Sequence, residues 1–425
     1  MWDKIMKIWK TKDVRNNILI VLGLLVIFRL VAHIPVPGVN VENLRDFLQG
    51  QQMFKMLDLF SGGTIMNFSL IMLGVAPYIT SSIIFQLLTM IVPKLEEMSK
   101  EGESGHQRIN MYTRWLTVPL AFLQSFAMIR MLGASGKSIL PVDMTFFQML
   151  TIMVGITAGT MFLVWLGELI SERKVGNGIS LLIFAGIVSG MPSSMAGAFV
   201  NYSSSNFYTI LMFVAVAVLT VVGVVFVNEG QRNIPVSYAK QVRGNHVYGG
   251  SNTHLPLRVN MAGVIPIIFA ISLVVIPPML AQFFINARAE WIKDIAEFII
   301  RLFNNQLFYG LAYFGMVFGF TFFYTSVIFH PKKIAENLQK QGGFVPGIRP
   351  GNETESYIGG VVKRINLVGA SFLGLIAVLP LILQVFTGSQ VLTIGGTSIL
   401  IVVAVAIETA KQIEAQMMMH EYDHV

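Results

Sequence analysis

Ten apolar segments, each long enough to cross a lipid bilayer, constrain this chain more than any other feature of its sequence. Only 12% of its residues are charged, against about 25% in a typical soluble domain. Inside lipid every backbone polar group must be bonded internally, and a helix of about 20 residues achieves this across the hydrocarbon core. The sequence therefore predicts an all-α polytopic membrane protein. Its ten predicted transmembrane helices lie at residues 17–34, 71–90, 115–132, 149–169, 179–199, 208–227, 261–284, 308–329, 366–385 and 392–410.

The distribution of Lys and Arg predicts the orientation of these spans. Most of the 30 basic residues fall in the N-terminal segment and in the loops 93–114, 170–178, 228–258 and 330–365. Loops rich in Lys and Arg remain in the cytoplasm. We therefore expect both termini to be cytoplasmic, in agreement with an even number of spans.

Ten spans divide into halves of five, residues 1–200 and 201–425. A half with an odd number of spans reverses its direction when it is repeated, which permits an inverted-repeat architecture with a path between the halves. The similarity between the two halves is too weak to establish such a repeat from the residues alone.

Two of the basic loops, 228–258 and 330–365, are long and rich in Gly, Asn, Gln and Pro. The second contains "GGFVPGIRPG" at residues 342–351, whose glycines and prolines predict a protruding, non-helical tip. Long loops are costly to order unless something docks on them. They are either solvated connectors or a docking platform for an acidic protein or for RNA phosphates.

Motifs for catalysis are missing from the sequence. It contains neither H-E-x-x-H nor G-x-S-x-G, and it has no Cys. The stretch "GASGKS" at 133–138 resembles part of a phosphate-binding loop, but Met131 stands where that motif requires Gly. The seven His residues are scattered through termini and polar loops. We therefore predict no catalytic residue, no metal site and no cofactor.

Two other functions are compatible with an apolar, ten-span chain. A secondary transporter of small solutes would need polar groups at the membrane midplane, whereas Glu168 and Glu408 lie near span ends. A transporter also gives no reason for the long basic loops. A structural insertase or scaffold would not need the short, glycine-hinged segment "FSGGTIMNF" that precedes the second span.

Eight sequence blocks are distributed along the whole chain. In chain order they are "FSGG", "SLIMLGVAPYITSSIIFQLL", "KEGESG", "GNGIS", "IFAGIV", "THLPLRVNMAGVIP", "GFVPGIRPG" and "GGTSILIVV". These blocks resemble those of the SecY family, whose members are the channel subunits of the bacterial protein translocase. The resemblance implies two inverted five-helix halves around a central pore. It also implies a protein-conducting channel that passes unfolded polypeptides across the bacterial plasma membrane.

In this family a short plug helix follows the FSGG block, which corresponds here to residues 57–67, the plug segment. Glycine permits backbone conformations that other residues rarely adopt, so the glycines suit a hinge. The polar side chains suit a segment that moves between a closed vestibule and water. The plug residues implied by the resemblance are Ser61, Gly62, Gly63, Thr64 and Asn67.

The resemblance also implies a ring of six aliphatic side chains at the waist of the pore. Such a constriction offers no hydrogen bonds, so it tends to dewet and to block ions. The same side chains can move aside for a peptide of any sequence. The six positions, called the ring below, are Val75, Ile79, Ile183, Ile187, Ile268 and Ile401.

Family members release apolar helices into membrane lipids through a lateral gate between the second and third spans and the seventh and eighth. The positions that match polar residues of this gate are Thr80, Gln86, Gln124 and Asn260. Hydrogen bonds between membrane helices are weak, so a few of them can yield to a competing apolar helix. Each of these residues is equally compatible with ordinary helix–helix packing.

Partners follow from the resemblance as well. The loops 228–258 and 330–365 would contact the SecA ATPase and the ribosome, both rRNA and proteins at the tunnel exit, through Arg349, Arg243 and Lys240. The chain has no nucleotide site of its own, so the motor would be external. The remaining expected partners are SecE, SecG, signal sequences and nascent polypeptides.

Overall fold

The computed structural model describes residues 9, 11–36, 39, 42–44, 61, 63–133, 139, 145–200, 207–238, 240–243, 246–249, 252–285, 289–387 and 396–423. The helices are α1 (Lys12–Ala32), α2 (Ala76–Ile91), α3 (Pro93–Lys100), α4 (Glu103–Gly133), α5 (Phe146–Glu172), α6 (Gly178–Val200), α7 (Phe207–Glu229), α8 (Ile265–Val274), α9 (Ile276–Phe284), α10 (Glu290–Asn304), α11 (Gln306–Ile328), α12 (Pro331–Lys340), α13 (Asn352–Thr387) and α14 (Gly396–Asp423). The strands are β1 (Gln231–Tyr238), β2 (Lys240–Arg243), β3 (His246–Gly249), β4 (Asn252–Arg258) and β5 (Gly343–Phe344).

Every predicted span contains one of these helices, so the prediction of a polytopic all-α fold is confirmed. Within the described ranges, four helices have the length and hydropathy of a membrane span. They are α1, α5, α13, and α11 extended through α12. A fifth span is added if α2 and α3 count as one, although the two helices meet at a bend of 101°. Shorter apolar helices lie at Gly178–Pro192, Val214–Glu229 and Ile265–Ala281.

Proline explains where several helices begin. It occupies the first turn of α2, α3, α8, α9 and α12, where its missing N–H has no intrahelical partner to lose. Inside a helix the same residue breaks the hydrogen-bond pattern. The seventh span is accordingly divided into α8 and α9 at Val275, two residues before Pro277.

The second span begins later than predicted. We expected it to start at residue 71, but α2 begins at Ala76 and residues 70–75 form turns. Gly74 has a φ of +56°, a left-handed conformation that glycine adopts readily. The chain changes direction there, just before α2 begins with Pro77 in its first turn. The five residues before α2 therefore connect it to the plug segment rather than extending it.

The helices form two groups that meet along two lines. In the first group α2 packs on α4, α4 on α5 and α5 on α6; in the second α8 packs on α11, α11 on α13 and α13 on α14. The groups meet where α2 contacts α8 and α4 contacts α9, a line that we call the seam. On the other side α14 contacts α1 and α6.

The two long basic loops fold together into one body, the loop module. Strand β1 pairs antiparallel with β4 and with β5, which gives a three-stranded sheet with the order β4-β1-β5. Apolar side chains beneath the sheet, including Ile234, Val236 and Val345, pack on Ile358 of α13. The loops are therefore ordered against each other and against α13, and their order does not require a docked partner.

Candidate functional site

An apolar cavity of about 130 Å³ lies between the two helix groups, at the seam. We call it the central cavity. Its walls come from the segment before α2 and from α2 itself, from α4 and α6, and from α8 and α9. The polar side chains on its wall are Ser61, Thr80, Gln124 and Ser272. Because the lining is otherwise aliphatic or Met, the cavity offers water few partners.

All six ring residues are buried and belong to one hydrophobic cluster. None of them is more than 8% exposed. Ile79 lies one helical turn after Val75, whose carbonyl accepts its backbone N–H at 3.0 Å. Four of the six line the central cavity, namely Val75, Ile79, Ile183 and Ile268. Ile187 and Ile401 belong to the same hydrophobic cluster but do not line the cavity.

A second cavity, of about 410 Å³, opens toward the loop module. We call it the loop-side cavity. It is lined by polar and charged side chains, including Asn177, Glu408 and Lys411. Lys411 forms an ion pair with Glu229 at 2.7 Å.

The two cavities approach each other within about one helical turn. At the start of α8, Ile268 lines the central cavity and Val264, four residues earlier, lines the loop-side cavity. On α14, Ala404 lines the loop-side cavity three residues after Ile401. Since a helix rises about 1.5 Å per residue, the ring positions on these two helices lie about 5–6 Å along the helix from residues of the loop-side cavity.

The plug segment contacts the central cavity. Ser61 and Ile65 lie on its wall, and Thr64 is fully buried, with its hydroxyl donating to the carbonyl of Ser61 at 3.2 Å. Asn67 is half-buried and Gly63 has a φ of +82°. Gly62 and residues 57–60 lie outside the described residues.

The end of the plug segment is fastened to the chain that follows α1. The backbone N–H of Val36 donates to the carbonyl of Phe68 at 2.8 Å, and the N–H of Leu70 donates to the carbonyl of Ile34 at 3.1 Å. Helix α5 comes close to this point because Gly159 has no side chain. A Cβ there would collide with the carbonyl group of Leu70.

Two of the predicted gate residues lie at the seam. Thr80 and Gln124 both line the central cavity, opposite Ser272 of α8. The hydroxyl of Thr80 donates to Ala76 at 3.0 Å and that of Ser272 donates to Ile268 at 2.9 Å, so each stays on its own helix. Among the residues that the structure describes, no side-chain hydrogen bond connects Thr80 or Gln124 to α8 or α9. The seam is therefore an apolar contact with polar side chains beside it.

The other two predicted gate residues lie elsewhere. Gln86 donates to Ser82 of its own helix at 3.4 Å and does not line the central cavity. Asn260 lines the loop-side cavity and donates to Asn228, at the end of α7, at 2.7 Å. The structure thus brings together two of the four.

The predicted docking residues lie on the loop module. Arg349 is exposed in the non-helical turn after β5, and its carbonyl accepts a hydrogen bond from Thr354 at 2.8 Å. Lys240 and Arg243 are the ends of β2, which pairs with β3 in a separate two-stranded hairpin. Gly347 and Gly351, at φ values of +84° and +102°, shape the turn that carries Arg349.

Sequence reasoning missed much of the wall of the central cavity. On α8 and α9 the lining continues from Ile268 through Ile271, Ser272 and Val275 to Met279. Each position lies three or four residues from one on the next helical turn, so together they form one helix face. Helical spacing from Ile268 was the signal that could have identified them.

Solved structures with the same fold are protein-conducting channels. One, described as the structure of a protein conducting channel, has a TM-score of 0.63 and 17% sequence identity, and the match covers 93% of this chain and 90% of that one. Another, Sec61 in the canine ribosome-channel complex, has a TM-score of 0.60 and 16% identity, and the match covers 93% and 90%.

Sequence comparison gives the family. The protein translocase subunit SecY of Corynebacterium glutamicum is 43% identical over 439 residues, which cover 99% of this chain and 98% of the relative. The sequence model of SecY matches residues 69–410, well over half of the chain. The ordered blocks, the ten apolar segments of the sequence and the buried aliphatic ring residues agree with these matches, and the chain belongs to the SecY family.

Proposed function

We propose that this chain is the channel-forming subunit of a bacterial Sec translocase. It passes unfolded secretory polypeptides across the plasma membrane and releases apolar helices sideways into lipid. The observation that carries this proposal is the burial of all six ring residues in one hydrophobic cluster, with four of them on the wall of the central cavity.

The ring acts as the seal. Its side chains present no hydrogen-bonding group to water or ions, so a constriction built from them excludes both. A peptide enters from the loop-side cavity and displaces the aliphatic side chains, which contact it without regard to its sequence.

The plug segment closes the central cavity from the far side. Ser61 and Ile65 contribute to its wall, and the hydrogen bonds at Phe68 and Leu70 fix the end of the segment to the chain after α1. Residues 61–67 swing about this fixed end, with Gly63 as part of the hinge, when a polypeptide enters.

The seam is the lateral exit. Helices α2 and α4 separate from α8 and α9, with Thr80 and Gln124 beside the opening. Because the seam is an apolar contact, an apolar substrate helix replaces the same kind of contact that it disrupts. Gln86 and Asn260 act on either side of this opening, Asn260 through its bond to the end of α7.

The loop module is the docking platform, and it faces the cytoplasm together with both chain termini. Arg349 is exposed at its turn, and Lys240 and Arg243 lie on the β2–β3 hairpin. A basic surface attracts acidic protein and RNA phosphate, which are the chemistries of the SecA ATPase and of the ribosome. SecE holds the halves 1–200 and 201–425 together, and SecG joins the complex.

A solute transporter is disfavoured by the buried residues. Within the described ranges, none of the buried side chains is Asp, Glu, Lys or Arg. Ion-coupled transport places such groups inside the membrane. The rival that remains is a scaffold without a conducting path.

Reconstitution tests the proposal. The chain would be inserted into vesicles with SecE, and SecA, ATP and a preprotein would be added. We expect preprotein to become resistant to external protease only when ATP is present. Absence of a protected substrate would overturn the proposal. Deleting residues 61–67 distinguishes a channel from a scaffold, because only a channel would then leak ions.

A further inference from the structure

Helix α10 follows α9 and precedes α11 in the chain, and it has three different faces. At about 100° per residue, Trp291, Ile295 and Phe298 fall within about 60° of arc. Ala296 and Phe303 lie about 120° from their centre. The charged residues occupy the third face, about 120° from both others, and are Glu290, Lys293, Asp294, Glu297 and Arg301.

One apolar face of α10 packs on protein. Ala296 is 2% exposed, and Phe303 packs against the central hydrophobic cluster. The ring of Phe303 also meets that of Phe308 edge-on, with centroids 5.4 Å apart. Through this face α10 contacts both α9 and α11.

Ion pairs within the helix link three residues of the charged face. Glu297 accepts a hydrogen bond from Arg301 at 2.9 Å and lies 3.9 Å from Lys293. Both pairs have the spacing of one helical turn, and the Arg301 side chain is 79% exposed. Such pairs suit a helix face in contact with solvent.

The remaining face is apolar and uncovered. Trp291, Ile295 and Phe298 are 66%, 51% and 64% exposed. The surface continues onto the first turns of α11, where Leu307 and Leu311 are 72% and 64% exposed. Since α11 is one of the helices long and apolar enough to span the membrane, these leucines face lipid, and the uncovered face of α10 extends the same surface.

The chain connectivity places α10 at one membrane boundary. Helices α8 and α9 lead away from the loop module to α10, and α11 leads back to α12 of the same module. Helix α10 therefore lies at the membrane surface opposite the loop module. Trp is enriched at such boundaries, where its apolar ring and polar N–H are both accommodated.

We propose that α10 lies in the lipid interface on that side, with Trp291, Ile295 and Phe298 inserted among the lipids and Lys293, Glu297 and Arg301 in water. The face with Ala296 and Phe303, which packs on protein, then fixes the position of α9. This consequence rests on the proposed function, because α9 lines the central cavity through Ile276 and Met279 and contacts α4 at the seam.

The absence of Cys from the chain makes a direct test simple. Single cysteines are introduced as Ile295→Cys and, as the matched control on the charged face, Glu297→Cys. Each is labelled with an environment-sensitive fluorophore in the full chain, reconstituted with SecE in vesicles. Two quenchers are compared: aqueous iodide, and lipids that carry a nitroxide at a shallow or a deep position.

We expect the label at Ile295→Cys to be quenched several-fold more by the shallow nitroxide lipid than by iodide, and the label at Glu297→Cys to show the reverse. Equal iodide quenching at both positions would overturn the proposal, since the apolar face would then be in water. Protection of Ile295→Cys from both quenchers would overturn it in favour of a protein partner. Stronger quenching by the deep nitroxide would exclude an interfacial position. Phe298→Cys should repeat the result of Ile295→Cys. The readout does not depend on transport, so a failed transport assay leaves it interpretable.

Discussion

Arg114 and Glu168 form an ion pair that joins α4 to α5, with Nη1 of Arg114 3.0 Å from Oε2 of Glu168. Their side chains are 43% and 31% exposed, so the pair is partly shielded from solvent. The Nε atom of Arg114 is buried and has no partner among the described residues. The ion pair with Glu168 is therefore the main interaction that stabilises the guanidinium group of Arg114 beside α5.

Removing the carboxylate should weaken the contact of α4 with α5. We expect Glu168→Gln to destabilise the protein by about 1 kcal/mol, the upper range for a partly exposed pair, seen as a lower thermal unfolding temperature. The exposed pair Glu96 and Lys100 on α3 gives the control. Glu96→Gln should leave the unfolding temperature unchanged, and the double exchange Arg114→Glu with Glu168→Arg should recover part of the loss. Equal effects of Glu168→Gln and Glu96→Gln would contradict this prediction.

A polar group in the ring should weaken the seal. Ile401 is 0% exposed and belongs to the central hydrophobic cluster. The substitution Ile401→Asn therefore places an amide, which can hydrogen-bond water, among aliphatic side chains that cannot. We expect a higher ion conductance of vesicles and export of substrates with defective signal sequences. Ala406→Asn is the control, because Ala406 is exposed on the same helix. If Ile401→Asn conducts no more ions than Ala406→Asn, the ring is not the barrier.

The spans could be predicted from the sequence because they follow from local patterns, while the ring stays a prediction whose six residues are buried in one cluster. Runs of about 20 apolar residues predict helices whatever surrounds them. The pairs Val75 and Ile79, and Ile183 and Ile187, show one-turn spacing. The resemblance to the SecY family then supplied what spacing alone cannot, namely that these faces meet one another.

Contacts between distant segments could not be predicted. Nothing in the sequence near Asn260 indicates that Asn228 is its partner, 32 residues earlier. The pairing of β5 with β1 similarly joins Phe344 to Ser237. The sequence also left open whether Thr80 bonds across the seam, and its hydroxyl donates to Ala76 of its own helix.

Gln124 should set how easily the seam opens. It lines the central cavity and makes no side-chain hydrogen bond with any described residue, so its amide disfavours the dry, closed contact. We expect Gln124→Leu to stabilise the closed seam by about 1 kcal/mol, which corresponds to about a fivefold change in equilibrium. Export of a preprotein with a weak signal sequence should fall by a similar factor.

The control for this substitution is Gln107→Leu, on the same helix α4 but exposed and away from the central cavity. It removes an amide of the same size and should leave the export of weak-signal preproteins unchanged. A similar loss of export in both variants would mean that hydrophobicity, and not the position at the seam, determines the effect.

Gly159 should be essential for the position of the plug segment. Its missing side chain lets α5 approach the carbonyl of Leu70, where a Cβ would collide with backbone. Gly159→Ala therefore forces a shift of α5 or of the chain at Leu70, at a cost of about 1–3 kcal/mol. We expect a lower unfolding temperature and a higher ion conductance.

Gly155→Ala is the matched control for Gly159. Its Cβ would meet only the Cδ2 atom of Leu70, at 3.3 Å, and a flexible side chain can move. Replacing Gly by Ala within a helix is otherwise favourable by about 0.5–1 kcal/mol, so Gly155→Ala should be neutral or stabilising. A Gly159→Ala variant that behaves like Gly155→Ala would show that the approach to Leu70 is not limiting.

Arg349 should matter for the motor and not for the pore. It is exposed at the turn of the loop module, and only backbone hydrogen bonding through its carbonyl ties it to the fold. Arg349→Glu should therefore preserve the unfolding temperature and the ion conductance. It should lower ATP-dependent preprotein transport at least tenfold, because the reversed charge repels an acidic partner surface. Lys333→Glu, an equal change of charge at an exposed position in the same loop, is the control and should reduce transport far less. Equal losses would indicate that the net charge of the loop module attracts the motor without a specific contact at Arg349.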